Sequence, residues 1–216
     1  MRPAVFLDRD GTLIREAEYL KDPSGVEVLA GTVAGLRALR AAGYALVVTS
    51  NQSGVARGYF DEPTVRRVNV RMRELLLAQG ADVDAVYYCP HHIKGTVPAY
   101  TRACDCRKPG PGMILAAARD LQLDLERSWV VGDKDADVAF GKNLNLKTVL
   151  VLTGYGAQTQ AQGFASGTEP DIVSPDLAAA AQAIIRFSQA PEMPKRWGLK
   201  RKVLPGETCE DDAEEI

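Results

Sequence analysis

The chain has 216 residues, 46% of them hydrophobic and 25% charged, with a formal net charge of −2. That balance fits one globular domain with a sizeable core and gives no electrostatic reason to expect a nucleic acid or membrane partner. No apolar run approaches the roughly 20 residues of a membrane span, and Met1-Arg2-Pro3 leads into an apolar run without a signal-peptide pattern. The expectation is a cytoplasmic monomer.

The first element is a strand at 4–8, AVFLD, closed by a turn at Gly11. Asp8 and Asp10 are two apart, so an extended backbone turns both carboxylates to one side, where a cation relieves their repulsion. On this stretch alone, an Asp-rich turn capping the strand explains the pattern equally well. Further strands are expected at 45–50, 84–89, 128–133, 148–153 and 171–173. Helices are expected at 32–42, 62–79, 110–122, 135–144 and 175–188. Helix 62–79 places Val65, Val68, Met72, Leu75 and Leu76 on one face. Gly43 and Gly80 follow helices where a left-handed residue closes the last turn. This alternation predicts a Rossmann-like three-layer α/β sandwich with a mainly parallel sheet over residues 1–188.

In such a sheet, ligands bind at the carboxyl ends of the strands. Those ends carry Asp8 with Asp10, Ser50-Asn51-Gln52-Ser53, Cys89-Pro90-His91 and Gly132-Asp133-Lys134. Asp8, Asp133 and a backbone carbonyl near Asp10 offer hard oxygen ligands that suit magnesium. Ser50 and Asn51 add neutral donors, and Lys108 and Lys134 add positive charge. Together they form a set suited to a phosphoryl group in transfer. A carboxylate nucleophile would divide the displacement into two steps through an aspartyl-phosphate, with the second carboxylate moving the proton.

Residues 89–106 read CPHHIKGTVPAYTRACDC. Cys89, His91, Cys104 and Cys106 make a closed tetrahedral set for structural zinc, which would order a loop without apolar periodicity of its own. Spacing alone does not separate His91 from His92 as the imidazole ligand.

DRDGT, a strand ending in Ser50, Lys108 in RKPG and Gly132-Asp133 resemble the four ordered motifs of the haloacid dehalogenase superfamily. The resemblance covers residues 4 to about 153. It implies Asp8 as nucleophile, Asp10 as general acid/base, Ser50 and Lys108 as supports for the phosphoryl group, and Asp133 as the residue completing the magnesium site. Asp137 lies one helical turn beyond Asp133, where a solvated acid near a helix N-terminus explains it. With TSNQSGVARG, CPHH and CDCRKPGPGM, the chain further resembles the heptose-bisphosphate phosphatases of that superfamily. The histidinol-phosphate phosphatases share the CPH…CxCRKP loop with a shorter gap.

This closer resemblance implies zinc on Cys89, His91, Cys104 and Cys106. It also implies substrate contacts from Ser50 to Ser53 and from Arg107, Lys108 and Lys134. A substrate segment at Glu16-Ala17-Glu18-Tyr19 departs from the Asp- and His-containing version of the family. With no insertion large enough for a cap domain, the loops at 15–25 and 89–106 would shape the pocket. The expected reaction is magnesium-dependent removal of the 7-phosphate of a heptose 1,7-bisphosphate, with histidinol phosphate as the alternative substrate. A receiver-like module that keeps phosphate on Asp8 is a further alternative. So is a zinc-anchored binding module with a dead site.

After residue 188 the composition changes. A basic block from Lys195 to Lys202 and an acidic one from Glu207 to Glu215 read as a solvated tail, or as one that docks through Trp197. Cys209 reads as a free thiol.

Overall fold

The computed structural model describes residues 1–165 and 167–189. From residue 190 the charged tail, with Trp197 and Cys209, lies outside the described residues. The strands are β1 (Arg2–Leu7), β2 (Ala45–Asn51), β3 (Ala85–Cys89), β4 (Leu123–Gly132), β5 (Lys147–Val151) and β6 (Ile172–Ser174). The helices are α1 (Thr32–Ala41), α2 (Glu62–Leu77), α3 (Gly112–Leu121), α4 (Asp135–Lys142), α5 (Gly156–Gln162) and α6 (Leu177–Gln189). All neighbouring strands pair in parallel, in the order β3-β2-β1-β4-β5-β6.

Side chains of β1 alternate between two cores, as strand geometry requires. Val5 and Leu7 pack with α1, α2 and α6 residues such as Leu39, Met72 and Ile184. Ala4 and Phe6 pack with Met113 and Ile114 of α3 and Phe140 of α4. The sheet therefore lies between two helical layers, and the three-layer sandwich holds. Gly43 and Gly80 have φ of +89° and +74° beyond α1 and α2, as their positions predict.

Strand β4 and helix α5 differ most from the expected elements. Strand β4 starts at Leu123 rather than 128, with a register shift between Pro3 and Val5 of its partner. Ser128 stitches the irregular stretch: its Oγ accepts from Ala4 N–H and donates to the Asp124 carbonyl. Helix α5, GAQTQAQ, lacks an apolar stripe and was not anticipated. Among the described residues no separate cap domain stands over the sheet. Among the described residues no helix is long and apolar enough to cross a membrane.

Candidate active site

Strands β1, β2 and β4 end side by side because they are neighbours in the sheet. Asp8 follows β1, Ser50 and Asn51 close β2, and Asp133 follows β4. They meet at one cleft of about 340 Å³. Its walls include Asp8, Asp10, Glu16, Tyr19, Ser50 and Asn51, and also Gln52, Ser53, Arg107, Lys108 and Lys134. Each cleft residue expected from the sequence thus lines one space, with Asp133 fully buried behind it.

Lys108 arrives from the zinc-loop side. Its buried Nζ donates to Asp8 Oδ1 at 2.5 Å, to Asp137 Oδ1 at 2.5 Å and to the Thr49 carbonyl at 2.9 Å. Burial works against its charge, yet Asp137 and Asp8 hold its pKa above the ordinary lysine value. Asn51 fixes this segment by pairing both amide groups with the Lys108 backbone, at 3.0 and 3.1 Å. Its side chain is therefore engaged with the protein at the cleft wall. Asp137 is buried rather than solvated: Oδ2 accepts Lys134 N–H at 3.1 Å at the start of α4, leaving Oδ1 for Lys108. Sequence spacing alone did not reveal that ion pair.

Oxygens of Asp8, Asp133 and Asp137 lie within 4.8 Å of one another, all buried. Burial pushes Asp8 up to about 6, with Lys108 opposing the shift, and pushes Asp133 up to about 8 with help from Asp8 and Asp137. Asp133 Oδ2 accepts Tyr155 N–H at 2.8 Å, while the buried Oδ1 has no hydrogen-bond partner. An orphaned carboxylate oxygen facing a second anion fits a hard divalent cation. Room for the Asp133 carboxylate itself is kept by glycine: Gly11, at φ +90°, and Gly154, at φ +54°, both abut its Oδ2 where a Cβ would collide. Asp8 and Asp133 therefore offer carboxylate oxygens that suit such a cation.

Arg9 is fully buried beside this cluster and donates to both oxygens of Asp10 and to Asn69. Gln52 Nε2 donates to Asp10 Oδ2 at 2.9 Å and to Ser50 Oγ at 2.8 Å. On the outer wall Lys134 reaches Glu16 at 2.9 Å and lies 4.8 Å from the Tyr155 ring centroid. Tyr19, at φ +62°, packs edge-on against Tyr59 at 4.7 Å. Arg107 is bound to the His91 carbonyl at 3.3 Å, and burial lowers its pKa.

The second cluster joins Cys89, His91, Cys104 and Cys106. The thiols lie 3.1 to 3.5 Å apart, and His91 Nδ1 is 3.3 Å from Cys106 Sγ. Three sulfurs and one imidazole nitrogen converging in this way fit a structural zinc ion. His92 is turned away, its Nδ1 accepting Lys94 N–H, which assigns His91 to the cluster. Tyr88 of β3 and Tyr100 of the loop both donate to Glu62 of α2, at 2.5 and 2.8 Å, tying the loop to the body.

A parallel sheet that gathers Asp8, Asp10, Ser50, Lys108 and Asp133 at its carboxyl edge defines a phosphoryl-transfer site of the haloacid dehalogenase type. Comparison with known proteins agrees, since residues 105–180 match the HAD-hydrolase-like family model. The chain is 45% identical over 155 residues, 71% of its length and 84% of the relative's, to a protein from Pasteurella multocida named D-glycero-beta-D-manno-heptose-1,7-bisphosphate 7-phosphatase. It is 41% identical to the D-glycero-D-manno-heptose-1,7-bisphosphate 7-phosphatase of Thermosynechococcus vestitus, covering 85% of this chain and 95% of that one. The solved D,D-heptose 1,7-bisphosphate phosphatase of B. bronchiseptica, complexed with magnesium and phosphate, matches with a TM-score of 0.74 at 34% identity, covering 87% of this chain and 99% of that one. The chain belongs to the D-glycero-D-manno-heptose-1,7-bisphosphate 7-phosphatase family of haloacid dehalogenase-like hydrolases.

Proposed function

We propose that this chain is a magnesium-dependent phosphoric monoester hydrolase that removes the 7-phosphate of D-glycero-D-manno-heptose 1,7-bisphosphate through phospho-Asp8. The observation that carries the reading is the approach of Asp8 to Lys108 at 2.5 Å, with Asp133 and Asp137 beside them, on a chain 45% identical to a relative of that name. Asp8 attacks phosphorus, the bond from phosphorus to the C7 oxygen breaks, and Asp10 gives that oxygen its proton. Asp10 then takes a proton from the water that attacks the aspartyl-phosphate, which frees inorganic phosphate and restores Asp8. Magnesium, when bound, neutralises phosphoryl oxygens and the facing carboxylates. Ser50 and Lys108 hold the moving phosphoryl group; Glu16, Tyr19, Gln52, Ser53, Arg107 and Lys134 contact the sugar bisphosphate, whose second phosphate suits Arg107.

Zinc on the Cys/His cluster would have a structural role, holding the segment from which Arg107 and Lys108 project. Residues 1–188 form the phosphatase domain and 189–216 the charged tail, and we read the chain as cytoplasmic and monomeric. The test is a kcat/KM ranking with magnesium across heptose 1,7-bisphosphate, heptose 7-phosphate and histidinol phosphate. The heptose bisphosphate should lead, and a lead for histidinol phosphate would overturn the substrate.

A further inference from the structure

Arg9 stands between the two carboxylates of DRD, yet it is only 1% exposed. A buried guanidinium must satisfy its donors, and each nitrogen type here meets an oxygen. Nε and Nη2 donate to Oδ2 and Oδ1 of Asp10, both at 3.1 Å, and Nη1 donates to Asn69 Oδ1 at 2.7 Å. Asn69 lies on the face of α2 that also buries Val65, Val68, Met72 and Leu76. An unpaired amide there would cost about 1–3 kcal/mol. The bond to Arg9 offsets that cost and ties Asp10 to a helix anchored in the core. The planar fork fixes the angle of the Asp10 carboxylate in a way a single hydrogen bond cannot.

We propose that Arg9, seated on Asn69, is a positioning residue that sets the orientation of Asp10 toward the oxygen leaving the transferred phosphoryl group. The inference rests on Asp10 acting as acid/base. As the phosphorus–oxygen bond breaks, the electron pair stays on the leaving oxygen and the proton of Asp10 moves to it. A primary sugar alkoxide is too basic to leave without that proton, whereas a nitrophenolate leaves unaided. Misplacing Asp10 therefore slows release of a sugar and spares release of a nitrophenol.

The test compares kcat/KM for heptose 1,7-bisphosphate and p-nitrophenyl phosphate, which reports the steps through release of the sugar or nitrophenol and not the water attack both share, in Arg9→Lys, Asn69→Leu and Asn69→Asp, with Asp10→Asn as benchmark. Arg9→Lys and Asn69→Leu should lower kcat/KM on the sugar by on the order of tenfold or more, with less than about a threefold change in kcat/KM on the aryl ester. Asn69→Asp keeps the acceptor and should retain most activity. A parallel fall in kcat/KM on both substrates, or no fall, overturns the proposal. If Asp10→Asn shows selectivity for the sugar and neither Arg9→Lys nor Asn69→Leu does, the positioning role alone is wrong. If Asp10→Asn itself shows no selectivity, the acid/base reading fails and the proposal with it. Should Arg9→Lys melt early, Asn69→Leu decides, because it leaves the guanidinium and its bonds to Asp10 available.

Discussion

Lys108 and Asp137 meet at 2.5 Å inside the protein, one from the segment after the zinc loop and the other from the first turn of α4. The pair ties two distant segments and aims the ammonium at Asp8. In Asp137→Asn the lost attraction to Lys108 and the relieved repulsion toward Asp8 and Asp133 oppose each other. Thermal stability should therefore shift little while kcat falls on the order of tenfold or more, as a misdirected Lys108 supports the phosphoryl group poorly. Steady-state kinetics beside a thermal melt check this, and unchanged kcat would count against it.

Magnesium and pH should act together on stability. Burial raises Asp8 to about 6 and Asp133 to about 8, both above the unfolded value near 3.8. The folded, metal-free chain then holds these protons more tightly than the unfolded chain. The stability they contribute is full below about pH 4 and is lost as pH rises through 6 and 8. Magnesium needs the ionised carboxylates. The rise in Tm on adding magnesium should thus be larger at pH 8.5 than at pH 5.5, and an equal or reversed increment contradicts the site.

Zinc removal should cost both fold and activity. Burial raises Cys89, so a metal must displace tightly held protons and its retention should weaken as pH falls. Chain purified without chelator should contain about one zinc per molecule, and Cys106→Ser should lose it. Because Lys108 lies two residues beyond Cys106, kcat should fall together with Tm. Full activity in zinc-free protein would refute the structural role.

Gly11→Ala is expected to be nearly inactive. The residue sits at φ +90°, and its new Cβ would meet the Asp133 carboxylate. Left-handed strain adds about 1 kcal/mol, but displacement of Asp133 is the larger effect. Magnesium titration should show weakened binding in a chain that still folds. Wild-type affinity would show that Asp133 has room to move.

Much of this was legible because short apolar strands end abruptly in polar residues. AVFLD and SWVVGD announce both the sheet and the carboxylates that it delivers. The start of β4 was not legible, since Asp124, Glu126 and Arg127 break the apolar pattern while the backbone still pairs with β1. Helix α5 gave no periodic signal. Asp137 read as a surface acid because its partner Lys108 is 29 residues away, and only folding brings the two together. Arg9 is masked in the sequence by the two carboxylates that flank it, although a charged residue directly after a buried strand is a cue. Asn69, a polar residue on the buried face of α2, was its counterpart.

The proposed chemistry turns on a phosphoryl group carried by Asp8. Rapid acid quench of the wild-type enzyme turning over heptose 1,7-bisphosphate with magnesium, followed by peptide mass spectrometry, tests it directly. Phosphate is expected on the peptide containing Asp8, absent without substrate and absent from Asp8→Asn, which should release no phosphate. Phosphate on any other residue, or turnover by Asp8→Asn at the wild-type rate, would contradict it.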